Sequence, residues 1–171
     1  EPGAGDAFLY VRSRPYERAQ LSSGTRKSLR HALANLRMAP VDWKSLAEAG
    51  LPAFADTRRR AGLSDGNERT FRLNVEIYEK TRGHAALGAW SGDELVAYVV
   101  VLHCDDFAEL VMWCSRDDSL SLCPNNALYH HVFERYLGEL GCGAVSAGIS
   151  SIQTGRAWEG LHSFKERVGF D

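Results

Sequence analysis

The run "ELVAYVVVLH" (Glu94–His103) limits the possible folds more than any other part of the chain. From Leu95 to Leu102 it carries no charge and is rich in valine, which favours a strand. A strand apolar on both faces must be covered on both, so it lies within a sheet with helices on each side. "HAALGAW" before it, joined through the tight turn "SGDE", completes a hairpin. "FAELVMWCS" after it adds a third antiparallel strand, ended by the polar run "RDDS". These three segments predict a meander.

Around the meander the apolar period is that of helices. "SSGTRKSLRHALANLR" predicts a helix capped by Ser23 or Thr25, with Leu29, Ala32, Leu33 and Leu36 on its apolar stripe. Residues 43–62 and 68–82 read as two further helices, and "PNNALYHHVFERYLGELG" as another, stopped by Gly141. "FLYVR" is a short strand, "MAPVDW" a strand interrupted by Pro40, and "AVSAGIS" (Ala144–Ser150) a main strand. The last helix runs from Trp158 to Val168. The order (helices, meander, helix, strand, helix) is an α+β pattern built on one mainly antiparallel sheet.

With 171 residues, 44% of them hydrophobic, the chain can bury a core as a single domain over 1–171. A net charge of −2 gives no support to a generic nucleic-acid binder. The cysteines Cys104, Cys114, Cys123 and Cys142 form no C-x-x-C pair, so reduced thiols and a cytoplasmic setting are expected. No stretch reaches the length of a membrane span, and no metal-ligand spacing occurs, so no metal is expected. A first residue other than Met and the final Gly-Phe-Asp point to a segment of a longer protein.

Common catalytic motifs fail. Gly148-Ile149-Ser150-Ser151 lacks the second glycine of a nucleophile elbow. There is no P-loop and no dinucleotide fingerprint. His130 and His131 are adjacent, so on a helix they point apart and read as surface histidines. Arg26, Arg30 and Arg37 share one helix edge; the edge is either a solvated margin of the core or a rail for phosphates. At "WCSRDDSLSLCPNNALYHH" a strand ends and a helix begins. Its free N–H groups, with Arg116, Asn125 and Asn126 nearby, read either as a capped helix start or as a seat for negative charge. In "GLHSFKERVGFD", Leu161, Phe164, Lys165 and Val168 fall on one helical face. That turns a lysine toward the buried side.

Taken together, "TRKSLRHALANL", "GDELVAYVVVL", "PNNALYHHVFERYLGELG", "VSAGIS" and above all "GLHSFKERVGF" resemble the GNAT superfamily of acyltransferases, in its Fem-like branch of peptidoglycan aminoacyltransferases and related acetyltransferase-like domains. The resemblance implies a GNAT-like sheet with helices on both faces, lacking the final strands. It implies acyl or aminoacyl transfer from an acyl-CoA or aminoacyl-tRNA to an amine, on a small molecule or a nucleotide-linked acceptor, with a second GNAT-like domain as a possible partner. It places Phe164 and Lys165 at the transfer site, with Arg116, Asn125, Asn126 and Tyr129 near the donor. Ser150 and Ser151 would stand at the facing strand end, across a cleft where "FAELVMWCS" and "AVSAGIS" splay apart. Acetyl-CoA-binding members carry a glycine-rich pyrophosphate loop after the meander, whereas "RDDSLSLCPNNA" has no glycine. That departure keeps a second function open: a non-catalytic GNAT-like module recognising a partner domain, tRNA or nucleotide-linked substrate through Arg26 and Arg30.

Overall fold

A computed structural model describes residues 7–13, 15–64, 66–151 and 156–170. Its strands are β1 (Ala7–Arg12), β2 (Arg37–Val41), β3 (His84–Ser91), β4 (Glu94–Cys104), β5 (Phe107–Ser115) and β6 (Ala144–Ser151). Its α-helices are α1 (Ser23–Asn35), α2 (Trp43–Ala49), α3 (Leu51–Arg60), α4 (Glu68–Lys80), α5 (Pro124–Phe133) and α6 (Arg156–Val168). The strands form one sheet in the order β1-β6-β5-β4-β3-β2. Every neighbouring pair is antiparallel except β5 and β6. Pro40 sits in β2, an edge strand, where its missing N–H breaks no ladder on the outer side.

β4 is buried on both faces, as its sequence requires. Tyr98 and Val100 pack with Leu46 of α2, Phe54 of α3 and Phe71 of α4. Val99 and Val101 pack on the opposite face with Leu29 of α1 and Leu128 and Val132 of α5. A bulge at Val96, opposite the step from Ala89 to Trp90, shifts the alternation so that Leu95 joins the face of Tyr98.

Three local expectations are corrected. The α1 cap is Ser22, whose Oγ accepts from the Thr25 N–H at 3.1 Å. The helix expected over 43–62 is two helices, α2 and α3, parted at Gly50. A Cβ there would lie 2.8 Å from the Leu46 carbonyl oxygen and 2.9 Å from the Phe71 ring, so the chain can turn this closely only at glycine. Pro52 follows in the first turn of α3, where its missing N–H costs nothing. The helix begun by α5 continues past Phe133 as a π-helical turn, Glu134–Glu139, before Gly141 at φ +68°.

The surface reading of His130 is also wrong: only 6% of it is exposed. The segment between β1 and α1 folds over α5, and its Tyr16 packs on the Phe133 ring at 5.1 Å. The Tyr16 hydroxyl is hydrogen-bonded to His130 Nδ1 at 2.9 Å, while Nε2 faces Glu134 Oε2 at 3.2 Å. This pairing suits a neutral imidazole with its proton on Nε2. Burial depresses the His130 pKa; Glu134 pulls it back up, and Arg18 and His131 add to the depression. Burial likewise pushes the Tyr16 phenol up to about 12, so it stays a donor.

The unfolded chain would take up the histidine proton at its ordinary pKa, above the folded value. Between the two values the unfolded state binds more protons, so stability falls with falling pH. Melting temperatures between about pH 7.5 and 5.5 should therefore drop. The drop should be smaller in His130→Gln, with His131, whose pKa burial also lowers, supplying the remainder. An identical pH dependence in that variant would discount the buried histidine.

Candidate active site

The site begins with a parting of strands. β5 and β6 pair only over Phe107↔Ala144, Ala108↔Val145 and Glu109↔Ser146, and then separate. Just past that point β5 has an extra residue, Val111, relative to β4. β6 is irregular opposite Tyr10, where the register with β1 shifts across Ala147 and Gly148; Gly148 adopts φ +73°. Bulges of this kind bend strands and redirect the groups beside them.

The gap opens into a cavity of about 440 Å³, within the range of small-molecule sites. Both helical layers reach it. Thr57 and Arg60 come from α3, Asn125 and Tyr129 from α5, and Phe164 and Lys165 from α6. Trp113 and Ser115 of β5 and Ala147 of β6 complete much of its wall.

Lys165 does not snorkel to solvent. It is 8% exposed, its Nζ donates to the Ala147 carbonyl at 3.1 Å, and the same Nζ lies 4.4 Å from the centroid of the Tyr10 ring. The shifted register of β6 thus presents the carbonyl that orients the ammonium. Burial lowers its pKa below the ordinary lysine value, and among the described residues no carboxylate pairs with it. Tyr10 is tied to the same helix through a hydrogen bond between its hydroxyl and His162.

The aromatic wall is built on Tyr129. Its ring stacks on Trp113 at 3.8 Å with 15° between planes, and meets Phe164 at 5.6 Å and Phe170 edge-on at 5.4 Å. Burial raises its pKa, so the hydroxyl keeps its proton. Asn125 accepts from Trp113 Nε1 at 2.8 Å and donates to Ser115 Oγ at 3.4 Å. Arg60 Nη2 donates to the same Oγ at 2.8 Å and to Thr57 Oγ1 at 3.0 Å, while its Nη1 pairs with Asp117. Thr57 is braced against β5 by accepting the Ser115 N–H at 2.9 Å.

Of the residues expected from sequence, Lys165, Phe164, Asn125 and Tyr129 meet in this cavity. Asn126 lies across Phe164 in a second cavity of about 370 Å³, with Ser22, Thr25 and Arg167. Arg116 is not in the wall; it is held by Glu94 at 2.7 Å and Asp118 at 2.5 Å. Ser150 and Ser151 end β6, where their backbones pair with Phe8 and Ala7, and their side chains lie outside the described residues.

The basic edge does not form. Arg26 donates to the carbonyls of Ala19 and Leu21 at 2.9 and 2.6 Å, closing the turn before α1. Arg37 belongs to β2, with its guanidinium 5.4 Å from the Trp90 ring. Arg30 remains, exposed and outside the cavity wall. Thr57, Arg60, Trp113 and Ser115 were not anticipated. The run "TRRR" at the end of α3 was the available signal, but basic residues at a helix C-terminus also serve the helix dipole alone.

No protein-family model matches the chain, and no curated protein matches it in sequence. Its fold, however, is shared. It is similar to FemX over 95% of this chain and 58% of that one, with a TM-score of 0.73 and 9% identity. A conserved protein of unknown function from Bacteroides thetaiotaomicron matches 94% of this chain and 55% of its own, with a TM-score of 0.65 and 14% identity. L-PGS from Bacillus licheniformis matches 95% and 58%, with a TM-score of 0.57 and 12% identity. The chain has a GNAT-like fold. Within that class its architecture is similar to that of FemX, and it spans a little over half the length of each of these three structures.

Proposed function

We propose that this chain is an N-acyltransferase domain that moves an acyl group from an activated ester or thioester to an amine. One observation carries the proposal: a buried lysine ammonium, with no carboxylate partner among the described residues, lines a cavity at the parting of two parallel strands. The fold likeness to FemX and L-PGS supports it. The amine nitrogen attacks the carbonyl carbon, a C–N bond forms, and negative charge moves onto the carbonyl oxygen. As that intermediate collapses, the bond to the leaving oxygen or sulfur breaks and the leaving group takes the proton lost by the amine.

Lys165 and the Tyr129 hydroxyl are donors able to meet the developing oxyanion. A fixed, buried cation is more effective there than one in bulk solvent. The same positive charge disfavours a protonated amine nearby, which keeps the nucleophile neutral without a carboxylate base. Phe164 shields one side of Lys165's cavity from the second cavity beyond it.

Coenzyme A held through a pyrophosphate loop does not fit. The segment after β5 is a 3₁₀ helix, Asp117–Leu122, without glycine and with Asp117 and Asp118 in its first turn. There Asp117 and Asp118 are tied up by Arg60 and Arg116, and no glycine lets backbone N–H groups converge on phosphates. That observation favours the second reading, a GNAT-like module that binds without catalysing.

Mass spectrometry of amine acceptors incubated with the chain and a panel of simple acyl thioesters, acyl-CoA and aminoacyl-tRNA separates the two. Acylated amine is the expected product. Binding of tRNA or a nucleotide-linked ligand that Arg30→Glu abolishes, with no product from any donor, would establish the module instead. Arg30 is the residue for this test because Arg26 also holds the turn before α1.

A further inference from the structure

The charge and hydrogen bonding of the cavity wall discriminate between the two kinds of donor. We infer that the cavity takes an apolar or aromatic acyl group without an α-ammonium, so that the donor is a simple acyl rather than an aminoacyl compound. This rests on the transfer reading above and narrows it.

An α-ammonium needs acceptors for three N–H donors and has no acceptor of its own. Among the described residues the wall holds no Asp or Glu, and it holds the two cations Arg60 and Lys165. Arg60 is offset by Asp117, but among the described residues no carboxylate offsets Lys165. Every polar acceptor of the described wall is neutral, and most already hold a donor. The Ala147 carbonyl takes Lys165, Asn125 Oδ1 takes Trp113, Ser115 Oγ takes Arg60, and Thr57 Oγ1 takes the Ser115 N–H. A second ammonium would find no negative partner in this wall and would face the Lys165 ammonium, which repels it. The stacked Trp113–Tyr129 pair and the Phe164 ring offer instead an extended apolar surface, suited to a planar or aliphatic acyl chain.

The test uses two stable amides with one skeleton, 3-phenylpropanamide and phenylalaninamide, at a pH where the amine of the second is protonated. Calorimetry or ligand-observed NMR on the parent chain gives their affinities. 3-Phenylpropanamide should bind more tightly by about tenfold or more, and Lys165→Met should narrow that ratio severalfold. Equal or tighter binding of phenylalaninamide overturns the inference, as does binding by neither amide, whatever the chain transfers. The parent ratio decides this even if the variant does not fold. A ratio as expected with no product from any acyl donor sinks the transfer reading and leaves the charge preference of the cavity in place.

Discussion

Lys165→Met should lower acyl transfer by about 10²–10³-fold while the melting temperature stays the same or rises. The two halves of this expectation have separate causes. Transfer falls because methionine cannot donate to an oxyanion or stabilise its charge. Stability does not fall because the wild-type residue is costly to bury: Lys165 is 8% exposed with one carbonyl and one ring face as partners. An apolar side chain of similar volume removes that desolvation cost while keeping the packing.

A lysine kept only to fill space or tie α6 to β6 would behave in the opposite way, losing stability and activity together. The pH profile gives an independent reading. Burial places the Lys165 pKa below its ordinary value, so a rate that depends on the ammonium should begin to fall at a lower pH than a solvent-exposed lysine would cause. That alkaline limb should vanish in Lys165→Met. A rate that instead rises through the same range would make the neutral amine a proton acceptor and reverse the assigned role.

The elements of the fold were legible because each depends on local pattern. The apolar run of β4 forced a two-sided sheet, and Gly92-Asp93 closed the hairpin before it. The tail was legible as well, since the face that carries Leu161, Phe164 and Val168 carries Lys165 too. What sequence left hidden was set by contacts distant along the chain. The parting of β5 and β6 was expected from the family resemblance alone; its place, after Glu109, is not written in the local pattern, and of the irregularities beside the gap only Gly148 leaves a residue-type trace. Arg60 reaches the wall by pairing with Asp117 and Ser115, more than fifty positions away along the chain. His130 was misjudged for a similar reason: its helix face predicts exposure only if nothing covers it, and the Tyr16 segment does. Arg37 was misplaced because α1 stops at Asn35, two residues short of it, and the edge it would have extended was never built.

Phe170→Ala should cost about 3–5 kcal/mol, a large part of the roughly 5–15 kcal/mol that holds a typical domain. Phe170 is 3% exposed and meets Phe133 at 5.2 Å and Tyr129 at 5.4 Å, both edge-on. It reaches them through a turn at Gly169, φ +111°, in which the Phe170 N–H donates to the Lys165 carbonyl at 3.1 Å. Arg12 Nη1 donates to the Gly169 carbonyl at 2.9 Å and fixes the turn against β1. The ring is therefore the anchor by which the end of α6 is held over α5, and Lys165 is one turn before it.

Urea denaturation should show the stability loss. Amide exchange should show where it falls, with protection in α6 reduced more than in β4 or α4. Transfer should fall too, although the ring does not line the cavity, because the helix that presents Lys165 is no longer fixed. Phe170→Leu keeps most of the buried apolar volume and should recover most of both properties. A loss under about 1 kcal/mol in Phe170→Ala, or exchange that rises evenly across the sheet, would show that α6 is held elsewhere and that the position of Lys165 does not depend on this ring.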